Sequence, residues 1–155
     1  MDLDEYRTTY LLYAPAKNPD GWHLDLAAFA AALDAAFSGV RYETRQGRQL
    51  RLSFWAVAEG EGPLYENPVH SGIVFDGFAS NEGRDTVLLT DNTPAEAAVF
   101  IRWLRDTVLP SPELIRFTTE GAVEKGIETD WRMPADGDEG RIAEELRHHI
   151  EVVEG

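Results

Sequence analysis

The stretch LLTDNTPAEAAVFIRWLRDTVLP, Leu88 to Pro110, decides how the rest of the chain is read. Its first residues complete the apolar, β-branched run DTVLLTD, which reads as a strand. The remainder reads as a helix whose start is written in Thr93-Pro94-Ala95-Glu96. Thr93 can accept from the backbone N–H of Glu96 while Glu96 reaches back to Thr93, a capping box. Pro94 takes the first helical position, where a missing N–H costs nothing. Asp91, Asn92 and Thr93 therefore gather an acid, an amide and a hydroxyl where a strand runs into a helix. Active sites are built at such junctions, but capping accounts for this one first.

Upstream lie three more strand signals. HSGIVFDGF precedes DTVLLTD, with the turn-rich ASNEGR (Ala79–Arg84) between them. VRYETR and RQLRLSFWAVA, joined through Gln46 and Gly47, alternate cleanly. Leu50, Leu52, Phe54 and Ala56 share one side, and Arg51, Ser53, Trp55 and Val57 the other, the pattern of a half-buried hairpin. EGEGP (Glu59–Pro63) opens a loop. Nearer the N-terminus, Tyr6–Ala14 is a strand stopped by Pro15, and KNPDGW is a loop. DLAAFAAALDAAFSG is a helix with Asp25 as N-cap and Gly39 as its stop.

Downstream, LPSP breaks the chain and ELIRFTTE reads as a strand. GIETDWRMP is a further short strand ended by Pro134, and Arg141–Val153 is a final helix. The order is β-α-β-β-β-β-α-β-(β)-α. Four consecutive strands predict an α+β fold with a mainly antiparallel or mixed sheet of five to seven strands. About three helices pack on one face, and residues 1–155 form a single domain.

Bulk composition narrows function. The chain has 155 residues, 43% of them hydrophobic, and a formal charge of −14. Polyanions are repelled by such a surface, so neither nucleic acid nor an anionic membrane is an expected partner. A basic protein is. No cysteine is present, which removes disulfides, thiolate nucleophiles and Cys-based metal sites. MDLDEYRTTY has no apolar core of a secretory signal, and LAAFAAAL is far short of a membrane span, so a cytoplasmic location is expected.

Candidate chemistry is sparse. His148 and His149 are adjacent, about 100° apart on a helix, whereas helical chelates use i,i+3 or i,i+4 spacing. His149 falls on the apolar face with Ile142, Leu146, Ile150 and Val153; Glu145 and His149 have chelating spacing but no evident third ligand. His23 and His70 lie in or beside loops, where an imidazole can act as a general base. No G-x-S-x-G, phosphate loop, dinucleotide fingerprint or calcium loop occurs. Asp76 and Asp91, on paired strands turning at Ala79–Arg84, would lie about 13 Å apart if Asp76 faces Val87, too far for a carboxylate dyad. No catalytic residue, metal ligand or cofactor is assigned.

The unusual feature is an arginine-rich hairpin in an acidic chain: Arg41, Arg45, Arg48 and Arg51, with Trp55 on the same outward side. Arginines beside an exposed tryptophan grip anionic ligands or anchor partners. Cross-strand pairing with Glu43 explains them structurally, and that reading takes precedence. The binding candidates are thus Arg41, Arg45, Arg51, Trp55, Asp91 and Trp131. The expected function is a non-catalytic protein-binding domain with an acidic surface, of adaptor or toxin-neutralising type. The alternative is a small enzyme or ligand-binding protein with a pocket near a sheet edge.

Overall fold

A computed structural model describes residues 2–37, 40–45, 51–56, 76–127 and 131–155, with 40–45 and 51–56 described as backbone. The elements run β1 Thr8–Tyr13, α1 Leu26–Ala36, β2 Val40–Arg45, β3 Arg51–Ala56, β4 Asp76–Ser80, β5 Thr86–Asn92 and α2 Pro94–Trp103. They continue as β6 Arg116–Thr119, α3 Glu120–Glu124, β7 Trp131–Arg132 and α4 Glu139–Glu154. His70, Arg48, the stop at Gly39 and the loop from Glu59 lie outside the described residues.

All seven strands form one sheet in the order β2-β3-β4-β5-β1-β6-β7, and every pair is antiparallel. The fold is α+β, as the strand count predicts. β1 is central although it comes first in the chain. Its TTYLLY is apolar on both sides of the pleat, as suits a strand flanked on both edges. The outer strands are unattractive as templates: β2 carries charge and β7 is two residues long.

The helices close one face of the sheet. Tyr10, Leu12, Val87, Leu89 and Phe117 project there and are fully buried against Leu33 of α1, Phe100 and Ile101 of α2, and Ile142 and Leu146 of α4. Phe37, Phe100 and Trp103 form an aromatic centre. Phe37 stacks on Phe100 at 6.1 Å, and Trp103 meets both edge-on at 5.3 Å. Edge-to-face contacts of this kind add to the area term of burial.

Helix starts follow the local chemistry. Glu96 N–H donates to Thr93 Oγ1 at 3.2 Å and Thr93 N–H to Glu96 Oε1 at 3.0 Å, the capping box in full. Asp25 Oδ1 accepts from Ala28 N–H at 2.9 Å. Downstream of α2 the chain widens into a π turn at Leu104–Val108.

α1 closes on Phe37, whose N–H reaches Leu33 O at 2.9 Å. Two sequence expectations change. ELIRFTTE is not one strand: Pro112–Leu114 is a 3-10 turn, and Glu120 begins α3 because Thr119 Oγ1 accepts from Ala122 N–H. The β4–β5 register also differs. Ala79 faces Val87 and Gly77 faces Leu89, so Asp76 lies one step further, beside Thr90 and not Val87. The loop between these strands holds Asn81–Asp85 and turns through Gly83 at φ +76°. Among the described residues, no helix is long and apolar enough to cross a membrane.

This packing makes a stability prediction. Phe100→Ala should lower the free energy of unfolding by about 3–5 kcal/mol and Thr93→Ala by about 1 kcal/mol in urea titrations. A loss below about 1 kcal/mol for Phe100→Ala would mean the aromatic centre is packed differently.

Candidate functional site

The sheet order separates the sequence candidates. Arg41, Arg45, Arg51 and Trp55 lie on β2 and β3 at one edge, Trp131 on β7 at the other. Six strand spacings, roughly 29 Å, lie between β2 and β7. Arg41 pairs with Trp55 and Arg45 with Arg51, and Trp55 pairs with Asp76 of β4. Register therefore puts these hairpin positions on the same side as Asp76 and Phe78, opposite the helices. Asp91, next to last in β5, lies in the left-handed region at φ +55°, where the β1–β5 register slips by one residue. Aspartate tolerates that conformation better than most side chains. Its carbonyl accepts from Arg7 Nη1 at 2.9 Å and its side chain is exposed. That slip belongs to the β1–β5 pairing; in the β4–β5 register Asp76 stands beside Thr90, one residue from Asp91, so the separation of about 13 Å expected from sequence does not hold.

Trp131 is half-buried on the helical side. Its indole N–H donates to Glu145 Oε1 at 2.8 Å, and its ring meets His149 edge-on at 4.7 Å and His148 at 5.5 Å. Trp22 is buried, and its Nε1 donates to Leu114 O at 2.7 Å. Both tryptophans tie loops and strand ends to the core.

His149 is fully buried. Its Nε2 lies 3.0 Å from Thr119 Oγ1, the same hydroxyl that caps α3, while Nδ1 has no hydrogen-bond partner among the described residues. A second ring proton would thus sit in an apolar site without an acceptor. Burial pushes the imidazole down to about 4, only partly opposed by Glu145. Glu145 is engaged by Trp131 and by Arg141 at 3.4 Å. Among the described residues no three His, Cys, Asp or Glu groups are placed to hold a metal ion.

His23 occupies a second unusual position. Its φ is +51°, and the backbone around it is held from several sides. Asp85, a buried carboxylate, accepts from Trp22 N–H at 3.1 Å, and Asn81 Nδ2 donates to Leu24 O at 3.0 Å. Burial raises the Asp85 carboxyl above its ordinary value, with the backbone N–H groups of Leu24 and Trp22 opposing. The exposed His23 borders a depression of about 220 Å³ lined by Trp22, Leu24, Phe29, Thr107 and Val108, the last two from the π turn. Ligand pockets commonly run from about 300 to 1,000 Å³, so this space suits a single ring at most.

Several acidic side chains without ion pairs among the described residues lie at the end formed by α3, the last turn of α4 and the N-terminal segment. α4 places Glu151 and Glu154 in its final turns with no basic residue there. Lys125 Nζ donates to Glu154 Oε2 at 2.9 Å and to Val153 O at 3.0 Å, joining α3 to α4. That hydrogen bond holds the Glu154 carboxyl below its usual value. Burial raises the Tyr6 phenol, helped by Glu154, Glu124 and Glu120. Glu120, Glu124, Glu144 and Glu151 have no ion pair among the described residues. Val123, Ile127 and Val152, at 58%, 38% and 58% exposure, are the exposed large hydrophobics among the described residues. All three lie on, or just beyond, the two elements that Lys125 joins.

The sequence reading ends its strand at Glu120 and assigns no element to residues 121–124, so it misses this end; the signal is Thr119 followed three residues on by Ala122 in a polar, helix-permissive run. It also missed Arg105. That side chain is buried, pairs with Asp106 through two hydrogen bonds and donates to the carbonyls of Pro134, Asp136 and Gly137, fixing the entry to α4. Comparison with family models, with curated proteins and with solved structures gives no match to this chain.

His149 gives a pH prediction. The unfolded chain takes up a proton near 6.5 and the folded one only near 4, so this contribution to stability is complete above 6.5 and fades as pH falls towards 4. The stability advantage of wild type over His149→Gln should shrink by about 3 kcal/mol across that window, read by urea unfolding at each pH. A pH-independent difference would show that His149 titrates normally.

Proposed function

We propose that the chain is a non-catalytic protein-binding domain that meets a basic protein through its acidic surface, in the manner of an adaptor or a toxin-neutralising protein. The observation that carries this reading is the end face of α3 and α4, where Glu120, Glu124 and Glu151, without ion pairs among the described residues, share the two helices with exposed Val123 and Val152, and Ile127 lies just beyond. Apolar residues supply buried area and the carboxylates supply steering and selection against acidic competitors. The overall charge of −14 favours a basic partner and disfavours nucleic acid and anionic membranes. A cytoplasmic setting accords with a chain that contains no cysteine.

The second reading, a small-ligand protein, draws on the depression beside His23. Its small size and the separation of the other candidates across the sheet give it less support.

Affinity capture from a lysate of the source organism separates the two. At about 50 mM salt one stoichiometric basic protein should be retained, and at about 500 mM it should be lost, because screening lengths fall to a few ångströms. A blank at both salts would contradict the partner reading.

A further inference from the structure

The helices take one face of the sheet, and the alternate residues of each strand belong to the other face. Register sets those residues in rows. One row runs unbroken through all seven strands, from Arg45 on β2 through Arg51, Ser80, Thr86, Tyr13 and Arg116 to Arg132 on β7. It is made of arginines and hydroxyl residues and contains no carboxylate, in a chain with 28 acidic and 14 basic residues. Another arginine joins from the β4–β5 loop. Arg84 lies over the Tyr13 ring, 4.2 Å from its centroid, and its Nε donates to Ala14 O at 2.6 Å.

The row does not serve stability. Arg45 stands opposite Arg51, and Arg116 opposite Arg132; like charges directly across a ladder weaken it. Arg7, Arg102, Arg105, Arg141 and Arg147 each hold a carboxylate. Arg84 and the exposed Arg132 have no ion pair among the described residues. Arg116 Nη1 donates to the carbonyls of Glu113 and Ile115, which orient its guanidinium. Departures from local favour of this kind mark groups retained for binding.

Guanidinium forks match the oxygens of a phosphoryl group. A long polyanion is repelled along its length by a chain of charge −14. A phosphate monoester concentrates roughly two charges and three acceptor oxygens in one group, so the local row is enough for it. Tyr13, Arg116 and Arg132 occupy three neighbouring strands, a span of roughly 10 Å that long side chains can close. In the next row on this face Leu11 and Leu88, both half-buried, stand opposite each other. That row is about 6.6 Å away, the distance between residues i and i+2 of an extended peptide.

We propose that the sheet face opposite the helices docks a phosphorylated segment of a partner protein. The phosphoryl group lies between Arg84, Arg116 and Arg132, and an aliphatic residue two positions away rests on Leu11 and Leu88. This surface is on the other side of the sheet from α3 and α4 and has the opposite sign, so it adds a second partner and does not rest on the first.

The test is an amide-resolved NMR titration of the full chain at about 50 mM salt, where exposed charges are weakly screened. The probes are acetyl-Leu-Ala-phosphoserine-Ala-Leu-amide, its unphosphorylated form, inorganic phosphate and oligodeoxythymidine. Saturable shifts are expected at Leu11–Tyr13, Thr86–Leu88, Arg116 and Arg132 with the phosphopeptide and none with the unphosphorylated form. Arg132→Gln should weaken the phosphopeptide about tenfold, whereas Arg147→Gln on α4 should leave it unchanged. Equal effects of the two substitutions, or binding that does not need the phosphoryl group, would overturn the site. Inorganic phosphate bound as tightly as the peptide would replace the segment with a small phosphate ester, and tighter binding of oligodeoxythymidine would replace it with a polyanion. Concentration-dependent shifts at these amides before any probe is added would give the face to a second copy of the chain.

Discussion

The structure depends on β1 being buried on both edges. It accepts β5 on one side and β6 on the other, and its Tyr10 and Leu12 are fully buried under the helices. Because β1 is first in sequence and central in space, β6 can reach the sheet only after the chain has made the β2–β5 meander and α2. The helices must then lie on a single face, since one face of Tyr10, Leu12, Val87, Leu89 and Phe117 supplies the apolar ground they need. The order of the remaining parts follows: α2 starts where β5 ends, α3 starts where β6 ends, and α4 returns across α2.

The core and the surface solve opposite electrostatic problems. Inside, polar groups are kept neutral or saturated. His149 stays uncharged beside Thr119, and the Arg105 guanidinium is matched to a carboxylate and three carbonyls. A buried charge without such partners would cost several kcal/mol. Outside, balance is abandoned. Arg102 holds Glu139 at 2.6 Å and Asp106 at 3.7 Å, Arg141 and Arg147 hold one carboxylate each at 3.4 and 3.3 Å, and Glu120, Glu124 and Glu151 of the α3–α4 end have no ion pair among the described residues. Exposed pairs of that kind add little to stability. The unpaired glutamates likewise add nothing to the stability of the fold, and the proposed association rests on them.

How much could be read in advance varied with the range of the interaction responsible. The caps at Asp25 and Thr93 are contacts within three residues, and both appear in the sequence as written. The α+β class and antiparallel pairing followed from four successive alternating segments. The β4–β5 register did not, because it depends on a five-residue loop turning through Gly83 and pairing ahead of it. α3 was hidden because a single helical turn has too little periodicity to declare itself beside a strand. The acidic character of the surface was legible as a total, but its concentration at one end was not. That required knowing that Lys125 of the α3 region reaches Glu154, 29 positions away in the chain. The sequence offers the arginine hairpin and Trp131 as separate candidates with no spatial relation between them, and the strand order puts them at opposite edges of the sheet.

The central claim is that Glu120, Glu124, Glu151 and Glu154 at the α3–α4 end repel one another and work against folding. Urea unfolding of Glu151→Lys against wild type at low ionic strength tests it most directly. Supplying the missing cation should stabilise the chain by about 0.3–1 kcal/mol, with the gain largely erased in about 1 M salt. A variant no more stable than wild type at low salt would mean that the carboxylates there are already accommodated, and the account of this end of the molecule would fail.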